Sequence, residues 1–230
     1  MTLSTDPTIW LRRSLWAAAL AVLGLATTAA ILLGRPGAAV RSADPTPPLL
    51  GRVPDFELTE RSGKTVSRAQ LAGRPWIAGF IFTRCGGICP ALSTKMARLQ
   101  QELGPIGGEP IQMVSISVDP THDTPAVLSE YARRFGADPH RWLFLTGPRP
   151  EVYRLVHDGF KLMMVELTPE QQNAGDEPIA HSDRLVLVDG ALRIRGYYRG
   201  SEQHVLEQLR RDLAALMQAS ASSGDRRRAG

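Results

Sequence analysis

Cysteine is close to absent: the 230 residues hold two, Cys85 and Cys89. A structural zinc site, which takes four ligands, is therefore short of thiolates, and the fold must rest on its apolar core. An apolar fraction of 43% is enough for one domain of ordinary size with attached segments. Aromatic residues are sparse at 6%, and no Arg/Lys stripe is interleaved with them. The sequence pI of about 9.4 thus gives no case for nucleic-acid binding. The formal charge is only +4, and part of the basic excess sits in the terminal "DRRRAG", which reads as a solvated tail. No internal repeat is present.

Charge is missing altogether from 14–34, a stretch of 21 residues. That length spans a bilayer as a helix and exceeds the usual apolar region of a cleaved signal peptide, so an uncleaved N-terminal anchor is expected. Arg12 and Arg13 before it also match a twin-arginine export signal, and the small residues around Ala38 and Ala39 would suit a cleavage site. Both versions deliver the domain to the same side. The arginines orient residues 1–13 to the cytoplasm, although Arg35 and Arg41 beyond the span keep the asymmetry slight. Residues 35–52, rich in Pro, Ala and Gly, read as an extended tether, 53–218 as the folded domain, and 219–230 as a disordered tail.

Within 53–218 the periodicity predicts a hairpin turning at Ser62 and Gly63, then a helical turn. A continuous apolar run over 76–82 has the length of a buried central strand. A helix over 90–103 follows, with Pro90 suited to its first turn. Strands at 112–119 and 142–147 alternate with helices at 124–136, capped by Thr124 and stopped by Gly136, and at 150–160. A short strand at 161–167, a polar loop at 168–181, a hairpin at 184–198 with an Asp189-Gly190 turn and an amphipathic helix at 201–218 complete the domain. This order implies a three-layer α/β domain with a mixed sheet, whose ligands gather outside the carboxyl ends of its parallel strands. The cysteine pair lies just past such an end.

With Pro90 opening the helix, Cys89 is at or near its N-cap, where amide N–H groups and the helix dipole favour anionic sulfur. Gly86 and Gly87 let Cys85 fold back, so the two sulfurs converge either on each other or on a metal. A purely structural disulfide closing so small a loop would contribute less than the typical ~2–4 kcal/mol. Two thiolates suit Cu(I) or zinc, and an added imidazole makes a three-coordinate copper site. His181, at the end of the polar loop, is one candidate for that imidazole. His122 is its main rival, while His140, His157 and His204 fall on helical or loop surfaces. Met163 and Met164, soft ligands in principle, read as core.

The stretches "PDFELTERSGKTVS", "FIFTRCGGICP", "SISVDPTHDTP", "RWLFLTG" and "IAHSDRLVLVDG", in this order from 54 to about 218, resemble the SCO family (SCO/SenC). These are membrane-anchored, thioredoxin-fold copper proteins of cytochrome c oxidase assembly. The resemblance implies a thioredoxin-like fold, Cys85, Cys89 and His181 as ligands of Cu(I) or Cu(II), and Asp119 as a residue supporting them. It also implies a redox-active cysteine pair able to form a disulfide. Implied partners are the copper-site subunit of the oxidase, with other copper chaperones or thiol reductants. The implied place is a bacterial-type inner membrane, crossed once, with the domain on the periplasmic side. Many members have Pro and then an acid after the first cysteine, where Gly86 and Gly87 stand here, which should loosen the loop. Turnover as an enzyme is not required; thiol-disulfide exchange with the oxidase cysteines and redox sensing use the same atoms. A Cys-x2-Cys oxidoreductase would hold its pair one residue tighter.

Overall fold

The computed structural model describes Leu20, residues 46–104, 111–168 and 179–228, with 220–228 by backbone alone. The chain divides into two compact units, Met1–Pro45 and Thr46–Gly230. The expected anchor at 14–34, apart from Leu20, and the tether up to residue 45 lie outside the described residues. Among the described residues no helix is long and apolar enough to cross a membrane.

In the second unit the strands are β1 (Gly51–Arg52), β2 (Glu57–Glu60), β3 (Thr65–Ser67), β4 (Trp76–Ile81), β5 (Gln112–Ser117), β6 (Trp142–Thr146), β7 (Met164–Glu166), β8 (Ile179–His181), β9 (Arg184–Val188) and β10 (Arg193–Arg199). Eight of them form one sheet in the order β1-β10-β9-β4-β5-β6-β2-β3, and β7 pairs with β8 apart from it. β4, β5 and β6 run parallel while the flanking pairs are antiparallel, which makes the sheet mixed. All six residues of β4 are buried, as the unbroken apolar run at its position requires.

The helices are α1 (Ile88–Glu102), α2 (Pro125–Arg134), α3 (Arg149–Arg154, continued by a π turn over Leu155–Gly159) and α4 (Val205–Arg228). Strand residues alternate between faces, so ring and side-chain partners assign the layers. Gly79 faces α1, since a Cβ there would meet Leu92 and Met96. Tyr198 bonds Asp212 of α4 at 2.7 Å, and Phe144 meets Tyr131 of α2 on the same side. Trp76 and Phe80 point the other way, with Phe160 edge-on at 6.3 and 5.0 Å. The result is three layers, with α3 and its π turn covering the second face.

Local chemistry explains the boundaries. Thr124 caps α2 by accepting from the Val127 amide at 3.4 Å, Pro125 takes the first position, and Gly136 at φ 61 stops it. The first hairpin turns with Gly63 at φ 84. Two expectations are corrected. The tether ends before 52: Gly51 and Arg52 pair with β10, because an open sheet edge accepts any segment that offers main-chain N–H and C=O groups. The closing helix runs on to Arg228 through the segment expected as a tail, which holds no proline to stop it even though Gly224 and its serines are poor helix formers. The last hairpin turns at Asp189 and Gly190 as expected, with the Leu192 amide donating to the Asp189 carbonyl at 2.8 Å and Leu192 itself left-handed (φ 61). Gly190 is small because the Gly73 backbone lies within 3.0 Å of where its Cβ would be.

Candidate metal centre

β4 is driven into the core by its six buried residues, and the chain leaves its carboxyl end through Phe82, Thr83 and Arg84. The Cys85 amide donates back to the Phe82 carbonyl at 3.3 Å, closing a turn. α1 then starts at Ile88, two residues earlier than Pro90 suggests. Proline is tolerated throughout the first turn, because those amides have no intrahelical acceptor, so Pro90 marks the turn and not its first residue. Cys89 is therefore inside the first turn, with Gly87 as N-cap and no side-chain cap. The Cys85 sulfur fills that role: the Cys89 amide donates to it at 3.4 Å.

Both cysteines are thiols and both are buried, Cys85 at 5% exposure and Cys89 at 0%. The Cys89 sulfur lies 3.1 Å from His181 Nε2. His181 ends β8, opposite Met164 in the β7–β8 pair, and its ring stands edge-on to Phe82 at 5.5 Å. His181 Nδ1 is 3.0 Å from the Ser182 carbonyl oxygen. A carbonyl only accepts, so Nδ1 carries a hydrogen, and whenever the ring is neutral the lone pair of Nε2 faces the sulfur. The other four histidines, His122, His140, His157 and His204, are exposed.

Two carboxylates support the loop. Asp119 is buried and accepts from Arg84 Nε at 3.1 Å and Nη2 at 2.6 Å, tying the residue before Cys85 to the end of β5. Asp123, which sequence reading passed over, is fully buried. It accepts from Thr83 Oγ1 at 2.5 Å, the Thr83 amide at 3.1 Å and Ser117 Oγ at 2.6 Å. Burial pushes its carboxyl above the ordinary value, and the Thr83 and Ser117 donors oppose that rise. Its one sequence signal is its place directly before the Thr124–Pro125 helix start, which reads as an ordinary turn. One turn beyond Cys89, Ser93 Oγ and Tyr131 Oη are 2.9 Å apart and buried. Burial above all drives the Tyr131 phenol upward; Ser93 opposes this, and the charges of Cys89, Cys85 and Asp123 add to the rise.

The methionine expectation holds for one residue of the pair. Met164 is buried, but Met163 is 73% exposed. Met163 directly precedes β7 and Met164 begins it, and successive residues face opposite sides, so only Met164 faces inward.

Among the described residues no group of three or more His, Cys, Asp and Glu side chains is gathered as a ready-made metal cage. What the fold gathers is a Cys–His contact with a second thiol whose sulfur accepts from the Cys89 amide. Two thiols and an imidazole lone pair make a donor set that fits a soft ion such as Cu(I) and also accommodates Cu(II).

Residues 49–218 match the SCO1/SenC family. The SCO1 protein homolog of Bacillus subtilis is 32% identical over 67% of this chain and 77% of its own length. BsSco, a member of the Sco family of cytochrome c oxidase assembly proteins in which a disulfide switch was identified, superposes with a TM-score of 0.62 at 27% identity, over 75% of this chain and 98% of that one. Yeast Sco1 with copper bound superposes with a TM-score of 0.56 at 26% identity, over 71% of this chain and 88% of that one. With nearly the whole folded unit matched in sequence and the same thioredoxin-like architecture in these neighbours, the chain belongs to the SCO1/SenC family.

Proposed function

We propose that the protein is a membrane-anchored copper carrier. Cys85 and Cys89 as thiolates hold Cu(I) or Cu(II), and neutral His181 supplies the third donor. The ion is then handed by ligand exchange to the dinuclear copper site of a cytochrome c oxidase subunit. The observation that carries this reading is the 3.1 Å approach of His181 Nε2 to the Cys89 sulfur, with the Cys85 sulfur held at the Cys89 amide. It is supported by membership of the family, by copper bound in yeast Sco1 and by the oxidase-assembly role named for BsSco. In this reading residues 14–34 anchor the chain and the domain works on the extracytoplasmic side.

The chemistry follows from the donor set. Metal binding releases the thiol protons, and the hydrogen bond from His181 Nδ1 to the Ser182 carbonyl orients the ring so that Nε2 meets the ion. Thiolates suit Cu(I), whereas imidazole matters more to Cu(II). Arg84 and Asp119, with Thr83 and Asp123, hold the strand end from which the cysteine loop departs.

The test is an anaerobic copper titration of the reduced full-length chain in detergent, beside Cys85→Ala, Cys89→Ala and His181→Ala, read by absorption, paramagnetic resonance and bound-metal analysis. We expect one ion per chain, lost with either cysteine, and Cu(II) binding weakened about tenfold or more in His181→Ala with Cu(I) affected much less. Weak binding indifferent to all three substitutions would overturn the reading in favour of thiol-disulfide exchange with the oxidase cysteines. The reduction potential of the pair would then be the quantity to measure.

A further inference from the structure

The β7–β8 pair has two faces, because successive strand residues point to opposite sides. Met164 and Ile179 face inward and are buried, on the side that carries His181. The outward side presents Met163 at 73% exposure and Val165 at 45%, with Ala180, the strand partner of Val165, exposed beside them. The Met163 carbonyl accepts from the Ser182 amide at 3.1 Å, which extends the pairing by one residue and keeps this face in register. An apolar strip thus lies open on the back of the ribbon that holds the imidazole.

Positive charge gathers next to it. Lys161 and Arg184 line a cavity of about 380 Å³, walled also by Met163, Ser182 and His181. Arg199, exposed, is the cross-strand partner of Arg184. Both arginines lie on the sheet face that Phe160 covers: Tyr197, two residues before Arg199, donates from its hydroxyl to the Phe160 carbonyl at 2.9 Å, and Lys161 follows Phe160. Like charges set directly opposite in a sheet are destabilising. Yet among the described residues no carboxylate pairs with Lys161, Arg184 or Arg199. The nearby acids are engaged elsewhere, Glu166 with Arg149 and Asp183 with the Ser201 amide at 3.0 Å. Three cations without a counter-charge, beside an open apolar strip, fit a protein surface that carries carboxylates around an apolar centre.

Resting on the copper reading above, we infer that the outer face of β7–β8, with Lys161, Arg184 and Arg199, is where the copper acceptor docks through an acidic patch of its surface. The cations steer the encounter, and Met163, Val165 and Ala180 are covered once it is made. The acceptor is then seated on the ribbon that carries the third copper ligand, next to the cargo it takes.

The experiment titrates the copper-free, reduced copper-site subunit of the same organism's oxidase against the full-length chain in detergent, without metal, by fluorescence at low and at physiological salt. The variants are Lys161→Gln with Arg199→Gln, Val165→Ser, and a control pair, Arg52→Gln with Arg211→Gln, that removes the same charge from exposed positions elsewhere. The first pair should weaken binding about tenfold at low salt and less as salt rises, because exposed charges are screened. Val165→Ser should weaken it about threefold at both salts, and the control pair by less than about twofold. Binding unchanged by Lys161→Gln with Arg199→Gln, an equal loss in the control pair, or no binding by the wild type overturns the docking surface. Anaerobic Cu(I) loading of the same proteins tests the copper reading separately, with one ion per chain expected in all of them. A wild type that binds the subunit through this face and yet holds no Cu(I) on Cys85 and Cys89 overturns that reading alone.

Discussion

Asp123 has no solvent exposure, yet it accepts hydrogen bonds from Thr83 on the way out of β4 and from Ser117 at the end of β5. It therefore ties together the carboxyl ends of the parallel strands β4 and β5, next to the point where the cysteine loop departs from β4. Because burial raises its carboxyl above the ordinary 3.8, the folded chain binds that proton more tightly than the unfolded chain does. The stability this adds is fully present below pH 3.8 and is lost as pH rises through the raised value. Asp123→Asn leaves one donor without an acceptor and should lower stability by about 1–3 kcal/mol at neutral pH. The variant also lacks the titration, so the wild type's advantage should be larger in acid and shrink as pH rises. Thermal melts of both proteins across acidic to neutral pH check this, and a gap that does not change with pH would argue against it. Asp119, by contrast, was singled out by the resemblance, although the partner it meets, Arg84, was not.

At the scale of elements, the small β7–β8 pair decides whether His181 reaches the cysteines. It stands outside the main sheet, so something besides sheet hydrogen bonds must hold it to the body. Glu166, the last residue of β7, ion-pairs with Arg149 and accepts from the Tyr153 hydroxyl, and Arg149 lies 5.1 Å over the Tyr153 ring. Burial and the Glu166 hydrogen bond together push the Tyr153 phenol up to about 12. This clasp joins β7 to α3, which itself covers the far face of the sheet. Glu166→Gln removes the ion pair and keeps an acceptor for Tyr153. Since an exposed ion pair is worth ~0–1 kcal/mol, amide exchange in Met164–Glu166 and Ile179–His181 should quicken by about fivefold at most. Unchanged exchange there, read by mass spectrometry, would mean that the clasp does not hold the pair. The sequence shows this strand only as a short apolar segment, because nothing local reveals that its partners are Arg149 and Tyr153.

For the molecule as a whole, the site is carried by a core that lies on both faces of β4. Phe160 closes the second face against Trp76 and Phe80 and is fully buried. Phe160→Ala should cost about 3–5 kcal/mol, a large part of a typical domain's stability, and lower the melting temperature accordingly. The cysteine loop and α1 lie on the other side of the strand, so copper stoichiometry below the melting range should be retained. Loss of binding in a variant that is still folded by circular dichroism would show the two faces to be coupled. Calorimetry and metal analysis on the same samples separate these outcomes.

The sequence by itself determined the alternation of strands and helices, the burial of β4, the caps and stops of α2 and the two thiols at a strand-to-helix junction. Each depends on residues near one another in the chain: apolar period, proline and glycine geometry, and a two-cysteine spacing. The resemblance in its motifs also singled out His181 as the expected third ligand, which spacing alone left in competition with His122. Tertiary structure decided the rest, because it concerns partners far apart in sequence. Only folding brings His181 Nε2 within 3.1 Å of the Cys89 sulfur, 92 positions away. Only folding buries Asp123 under Thr83, docks Gly51 and Arg52 on β10, and turns Met163 outward into the cavity shared with His181. Packing and desolvation act between elements that the chain order keeps apart, and no local pattern encodes which of them will meet.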